Sequence, residues 1–156
     1  MARSFFSRPA DGFVSGGAHL AVYLVPVFEG GLVVFDVATP EARGRWLPWN
    51  ILAFRGHPYE EAAGLADDWC DGEISDLRLI DVMSSASATG SWELAVVFRA
   101  ELTAVPAGDR DRHPVRLPPG TIEPVGPFEA VDLERWVDAP AALGLRPGSP
   151  GPFLIF

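Results

Sequence analysis

Two runs of β-branched and aromatic residues at 19–37 constrain the fold more than any other feature. They read HLAVYLVPVFEGGLVVFDV, with Glu29, Gly30 and Gly31 between them. Glycine adopts the positive φ angles of tight hairpin turns, and runs rich in valine, tyrosine and phenylalanine favour extended backbone. The segment therefore predicts a β-hairpin, and with it a sheet at the centre of the protein.

The next stretch, RGHPYEEAAGLADDWCDGEI at 55–74, predicts one amphipathic helix. Pro58 suits its first turn, Glu60 and Glu61 suit the positive end of its dipole, and Gly72 ends it. Apolar residues recur at i, i+3, i+4 and i+7, which places them on one helical face. They are Ala62, Leu65, Ala66 and Trp69.

The remaining chain predicts more strands and a second helix. The strands are at 46–54 (interrupted by Pro48), 74–85, 91–102 and 126–133, a proline-rich loop fills 103–120, and a helix capped by Asp132 covers 132–143. This order of elements predicts an α/β or α+β sandwich, in which helices cover the faces of a mixed sheet.

The chain of 156 residues, 48% of them hydrophobic, is long enough for one domain with a sizeable core. We expect an N-terminal arm at 1–18, the domain at 19–144 and an apolar tail at 145–156. The tail ends in FLIF. Since exposed apolar surface is costly in water, we expect it to dock on the body or to form a homodimer with a second copy.

Charge and composition limit the partners. The formal net charge of −9 argues against nucleic acid, and no apolar run reaches the roughly 18 residues of a membrane helix. The N-terminus lacks the apolar core of a signal peptide, and a single cysteine, Cys70, excludes an internal disulfide. We therefore expect a cytoplasmic protein that binds a small molecule, without nucleic acid or membrane.

The order of several segments resembles the Nudix hydrolases. GRWLPW (44–49) resembles the strand before the family's catalytic segment, and GHPYEEAA (56–63) resembles its GESPEEAA. RLIDVMSS, WELAVVFRAEL and GPFEAVDLERWV resemble the strands and the helix that follow. The resemblance covers about 21–137 and implies a Nudix-like α/β/α sandwich with a mixed β-sheet.

The family's metal-binding pattern, G-x5-E-x7-R-E-U-x-E-E-x-G-U with U an aliphatic residue, is degenerate in this chain. Gly56 and the pair Ala62–Ala63 set the register, and Gly72 then matches. The arginine falls on Leu65, and the helix glutamates fall on Ala66, Trp69 and Cys70. Nudix enzymes use these glutamates to hold magnesium or manganese, which prefer oxygen ligands. The resemblance therefore implies a fold without its usual metal site, and no cofactor is expected.

A shift by one residue gives an alternative. It places Asp67, Cys70 and Asp71 on the glutamate positions, and Asp67 and Asp71 would then bind Mg²⁺ or Mn²⁺. At 100° per residue, however, the aspartates lie opposite the apolar stripe of the helix. They then form an ordinary solvated face.

Three residues are candidates for catalysis without a metal. Cys70 is a possible nucleophile assisted by His57, and Glu93 is a possible acid or base on a strand it shares with Arg99 and Glu101. The alternatives are a buried inert cysteine, an exposed loop histidine and the wet face of a sheet.

Five residues are candidates for substrate binding. Trp69 and Ala66 would line an apolar pocket where the diphosphate binds in the family, unless Trp69 fills that space as core. Arg45, Arg55 and Arg99 would bind a phosphate or carboxylate, unless they pair with acids on the surface.

Three functions follow. The first is a small-molecule-binding protein that uses the former diphosphate cleft for a partly apolar metabolite. The second is a metal-free enzyme such as a cyclase, isomerase or hydrolase, and the third is a metal-dependent Nudix hydrolase with a shifted aspartate site. The sequence leaves open whether the protein is an enzyme.

Overall fold

The computed structural model describes residues 18–40, 43–86 and 92–139. The strands are β1 (Ala18–Phe28), β2 (Gly31–Val37), β3 (Gly44–Trp46), β4 (Trp49–Ile51), β5 (Ile74–Ala86), β6 (Trp92–Leu102) and β7 (Arg112–Leu117), and the helices are α1 (Pro58–Cys70) and α2 (Ala130–Val137). Residues 1–17 of the expected arm at 1–18 and the expected tail at 145–156 lie outside the described residues, and Ala18 is the first residue of β1.

The seven strands form one mixed sheet in the order β3-β2-β1-β6-β5. Strands β1 and β6 pair in parallel along most of their length, and the other pairs are antiparallel. Strand β4 pairs with β1, while β7 pairs with β2. Because β1 is flanked by partners of both directions, the sheet is mixed, as the sequence predicts.

The helices cover opposite faces of this sheet and divide the core in two. On the α1 face, Val22, Val33 and Phe35 pack with the helix residues Ala62, Leu65 and Ala66. On the α2 face, Tyr23, Val25 and Val97 pack with Leu133 and Trp136. Alternate residues of β1 therefore belong to different cores, as the period-two geometry of a strand requires.

Helix α1 has the bounds that the sequence predicts. The Nδ1 atom of His57 accepts a hydrogen bond from the amide of Tyr59 and caps the N-terminus, and Pro58 follows in the first turn. At the other end, Asp71 and Gly72 both have positive φ angles, of 57° and 68°. With the backbone in the left-handed conformation at these two residues, the helix ends and the chain turns toward β5.

Two predictions about the middle of the chain differ from the observed strands. The expected strand at 46–54 is two short strands on either side of Pro48, and β7 lies inside the expected loop at 103–120. The proline within β7, Pro114, is tolerated because, among the described strands, β7 pairs with β2 alone.

The C-terminal helix begins earlier than predicted. The segment expected as a strand at 126–133 has only a bridge between Val125 and Phe128 before α2 starts at Ala130. Its N-cap is Glu129 rather than Asp132.

Over the described ranges, no helix is long and apolar enough to cross a membrane.

Candidate functional site

The family's metal positions on α1 face the protein core in this chain. Ala66 and Cys70 are completely buried, and Leu65 is nearly so. Burial raises the pKa of the Cys70 thiol to about 12, and the charge of Asp71 adds to the shift. A neutral, buried thiol is a poor nucleophile. This face of the helix offers packing surface and no oxygen ligand.

Trp69 fills the space beside this face. Its ring meets Phe35 edge to face with 5.2 Å between centroids. The guanidinium of Arg112, on β7, lies 3.8 Å from the centroid of the Trp69 ring, and Arg112 also pairs with Asp68 at 3.0 Å. The half-buried indole is thus packed against Phe35 and Arg112. Arg112 belongs to β7, a strand that the sequence did not predict.

The aspartates of the shifted metal site are on the surface. Asp67 and Asp71 are both exposed. One carboxylate oxygen of Asp71 accepts a hydrogen bond from the amide of Ala107 at 3.3 Å. Within the described chain, no group of three or more His, Cys, Asp or Glu residues has a geometry that could hold a metal ion. The residues that the resemblance aligns with the family's helix glutamates, Ala66, Trp69 and Cys70, carry no side-chain oxygen, which is the ligand atom that magnesium prefers.

The three catalytic candidates lie apart. His57 caps the first turn of α1 and Cys70 is its last residue, so they are about 20 Å apart at 1.5 Å per helical residue. Glu93 is on β6, and its register neighbours there project into the core on the α2 face. The fold brings no two of these three residues together.

The three arginine candidates also have separate partners. Arg45 pairs with Asp36 at 2.8 Å, and this hydrogen bond lowers the pKa of the Asp36 carboxyl. Arg99 pairs with Glu101 at 2.8 Å and donates to the carbonyl oxygen of Val137 at the end of α2.

Arg55 is exposed, with its guanidinium carbon 5.7 Å from the centroid of the Phe54 ring. The arginines therefore do not converge on one anion site.

A buried polar cluster on the α2 face is the other candidate site. Glu93 is 8% exposed and is the one buried charged residue in the described part of the chain. The hydroxyl of Tyr23 donates to its Oε1 atom at 2.8 Å, and Nε2 of His19 lies 2.9 Å from its Oε2 atom. We call Glu93, Tyr23 and His19 the carboxylate cluster.

The parallel pairing of β1 with β6 builds this cluster. His19 and Glu93 are directly paired in the register, so their side chains lie side by side on the α2 face. Tyr23 is four residues further along β1 and therefore points to the same face. Of these three residues, Glu93 is a candidate from the sequence, and Tyr23 and His19 are not. The even spacing of His19 and Tyr23 on β1 places them on one face of the strand. The pairing of β1 with β6 is needed to see that this face meets Glu93.

The electrostatics of the cluster keep its tyrosine protonated. The pKa of Tyr23 is raised, first by burial and then by the negative charge of Glu93 and the hydrogen bond to it. Tyr23 is therefore a permanent donor at physiological pH. A neutral His19 must carry its proton on Nε2 to donate to Glu93, which leaves Nδ1 as an acceptor.

A row of five aromatic rings runs through Tyr23 of the carboxylate cluster. Each ring lies 4.7–6.2 Å from the next, between centroids. In order the rings are Trp46, Trp49, Tyr23, Phe128 and Trp136. Trp136 is anchored at the end of the row, because its indole N–H donates to Asp81 at 2.8 Å. The Tyr23 ring thus packs between Trp49 and Phe128, and Trp49 is half-buried beside it.

Comparison by sequence finds no matching family model and no matching curated protein. Comparison by structure finds several proteins of similar fold. A MutT NUDIX hydrolase from Burkholderia pseudomallei matches with a TM-score of 0.57 and 18% identity, over 75% of this chain and 96% of that one.

Two further structures agree. A NUDIX hydrolase from Nitrosomonas europaea matches with a TM-score of 0.52 and 14% identity, over 84% of this chain and 77% of that one. A MutT protein from Methanosarcina mazei Go1 matches with a TM-score of 0.52 and 14% identity, over 67% and 80%. At these identities the likeness concerns the fold and leaves the chemistry open. The chain has the Nudix fold, an α/β/α sandwich built on a mixed sheet.

Proposed function

We propose that this protein binds a small, partly apolar metabolite, and that the ligand contacts the carboxylate cluster rather than the helix face used by Nudix enzymes. The observation that carries the proposal is the buried carboxylate of Glu93. Among the described residues its hydrogen-bond partners are a tyrosine and a histidine, neither of which is a permanent cation. Burying a carboxylate without a permanently cationic partner is costly, so such a group is retained more readily where it has a task.

The packing around Trp69 favours this face over the former diphosphate cleft. Phe35 and Arg112 already occupy two sides of the indole, and Ala66 and Cys70 have no exposed surface. A ligand there would have to displace Arg112 from both the ring and Asp68. At the carboxylate cluster, by contrast, the side chains of His19 and Glu93 are 15% and 10% exposed. Neither side chain pairs with an arginine in the described part of the chain, so a ligand there would displace no such ion pair.

A second candidate function is metal-free acid–base catalysis. The hydrogen bond between Nε2 of His19 and Oε2 of Glu93 favours it, because a carboxylate that orients a histidine leaves the other ring nitrogen free to accept a proton. In this reading His19 is the base and Glu93 positions it. His57 and Cys70 have no part in it.

The test is a set of two-dimensional NMR titrations with a panel of small metabolites, on the full chain and on Glu93→Gln. Glu101→Gln is the matched control, because Glu101 lies on the same strand and the same face but pairs with Arg99. We expect ligands that shift the amide signals of residues around Glu93 in the parent and in Glu101→Gln, and that bind Glu93→Gln at least tenfold more weakly. Ligands that shift only residues around Trp69 and Arg112 would instead support the former cleft.

A calorimetric titration with magnesium and then manganese tests the third function. We expect no binding at millimolar metal. Binding that is lost when Asp67 and Asp71 are both changed to asparagine would contradict the proposal and support a shifted hydrolase site.

A further inference from the structure

We propose that the carboxylate cluster selects a ligand that carries a planar cationic N–H group, such as an amidinium, a guanidinium or a protonated aminoheterocycle. This inference rests on the proposed function and names the chemistry of its ligand. It follows from the charge balance, the free acceptors and the apolar surroundings of Glu93.

The first step is the charge balance. Tyr23 donates a hydrogen bond to Glu93 but brings no positive charge, and His19 brings one only when its ring is protonated. Arg99 is the arginine on the same strand and face, but it lies six residues away, or about 20 Å along a strand, and is paired with Glu101. The buried carboxylate therefore has no arginine partner on its own strand. A cationic ligand would place a permanent positive charge beside Glu93, and an anionic ligand would place a second negative charge there.

The second step is the number of free acceptors. A carboxylate offers about four lone-pair positions, and Tyr23 and His19 use one on each oxygen of Glu93. Both oxygens therefore keep acceptor capacity. Two parallel N–H groups in one plane, as in an amidinium, match a carboxylate with two hydrogen bonds. A primary ammonium would satisfy the charge but not this paired geometry.

The third step is the surface next to the carboxylate. The row of rings places Trp49 beside Tyr23, with 6.1 Å between centroids and 20° between planes. Trp49 is half-buried, so part of its indole is open to contact. An aryl group attached to the cation would cover this indole while the N–H groups bind Glu93. Cations are also attracted to the face of an indole ring. A planar aryl cation thus fits both parts of the site.

The experiment compares three probes of the same shape: benzamidinium, which is cationic, benzamide, which is neutral, and benzoate, which is anionic. Binding is followed by NMR titration of the parent, Glu93→Gln and Glu101→Gln. We expect benzamidinium to bind the parent at least tenfold more tightly than benzamide, and benzoate to show no binding. The preference for benzamidinium should vanish in Glu93→Gln and persist in Glu101→Gln.

A second variant covers the case in which Glu93→Gln fails to fold. Tyr23→Phe keeps the charge of Glu93 and removes one donor from it, so benzamidinium should bind at least as tightly as to the parent. Equal binding of benzamide and benzamidinium in the parent, or weaker binding of benzamidinium in Tyr23→Phe, would overturn the inference.

Failure of this inference is distinguishable from failure of the proposed function. Metabolites that bind around Glu93 without preference for a cation leave the function standing and remove the inference. Absence of any signal change around Glu93, with every probe and every metabolite of the panel, removes both.

Discussion

The hydroxyl of Tyr23 donates a hydrogen bond of 2.8 Å to the carboxylate of Glu93, although 70 positions separate the two residues in the chain. The parallel pairing of β1 with β6 creates this relationship. It joins the first described strand to the sixth and buries a charge between them. The cluster therefore contributes both to the fold and to the proposed site.

The first prediction concerns this hydrogen bond. Tyr23→Phe leaves the Oε1 atom of a buried carboxylate without its donor, which should lower the free energy of unfolding by about 1–3 kcal/mol. Urea denaturation measures the change. In a double-mutant cycle with Glu93→Gln, the two losses should be non-additive, because they remove the same contact. Additive losses would mean that the two side chains act independently in solution.

The second prediction tests whether the family's metal positions are core in this chain. Ala66→Glu places a carboxylate where the side chain is completely buried, so it should destabilise the fold by several kcal/mol or prevent folding. Gly64→Glu is the matched control on the same helix, because a Cβ atom at Gly64 has open space around it.

The control should keep or slightly raise the thermal midpoint, since glycine is a poor helix former. A folded Ala66→Glu variant with the same thermal midpoint as the parent would contradict the burial of Ala66.

The third prediction concerns the reactivity of Cys70. Burial raises its pKa from 9.0 to about 12, so the folded protein should hold about a thousandfold less thiolate at pH 8 than the unfolded chain. Reaction with a thiol reagent should be slow in buffer and fast in denaturant. Labelling at the same rate in both conditions would show that the thiol is accessible.

The same shift predicts a change of stability with pH. A thiol whose pKa is raised by folding contributes its full stability below the unfolded value of 9.0, and this contribution falls as the pH rises toward about 12. Cys70→Ala should therefore lose less stability than the parent between these limits. Chemical denaturation at pH 8 and at pH 10.5 compares them, and identical losses would contradict the assignment.

The fourth prediction concerns the anchor of α2. Trp136 is 2% exposed, and its indole N–H donates to Asp81. Trp136→Ala should cost about 3–5 kcal/mol through the cavity and the lost contacts. Val131→Ala on the same helix, at a position 66% exposed, should change stability by less than about 0.5 kcal/mol. Calorimetric unfolding of both variants checks the contrast, and similar losses would mean that α2 does not dock through Trp136.

The sequence by itself determined the local elements whose signals lie within a few residues of each other. Pro58 and Gly72 mark the ends of α1, because the first suits an N-terminal turn and the second a left-handed residue. The turn at Glu29 and Gly30 marks the hairpin, since both adopt positive φ angles. The sequence also predicted the mixed sheet, because the order of its elements resembles that of the Nudix hydrolases.

Only the tertiary structure decided which residues of different strands lie next to each other in the sheet. The sequence did not predict strand β7. A proline such as Pro114 favours a loop, and its place in a strand is recognised only once the pairing with β2 is known. The pairing of Glu93 with His19 and Tyr23 depends on a register between two strands far apart in the chain, and no local pattern encodes it. The position of Arg112 over Trp69 depends on the same kind of long-range packing. Local backbone preferences act over a few residues, whereas a site is assembled by contacts that form only when the whole sheet closes.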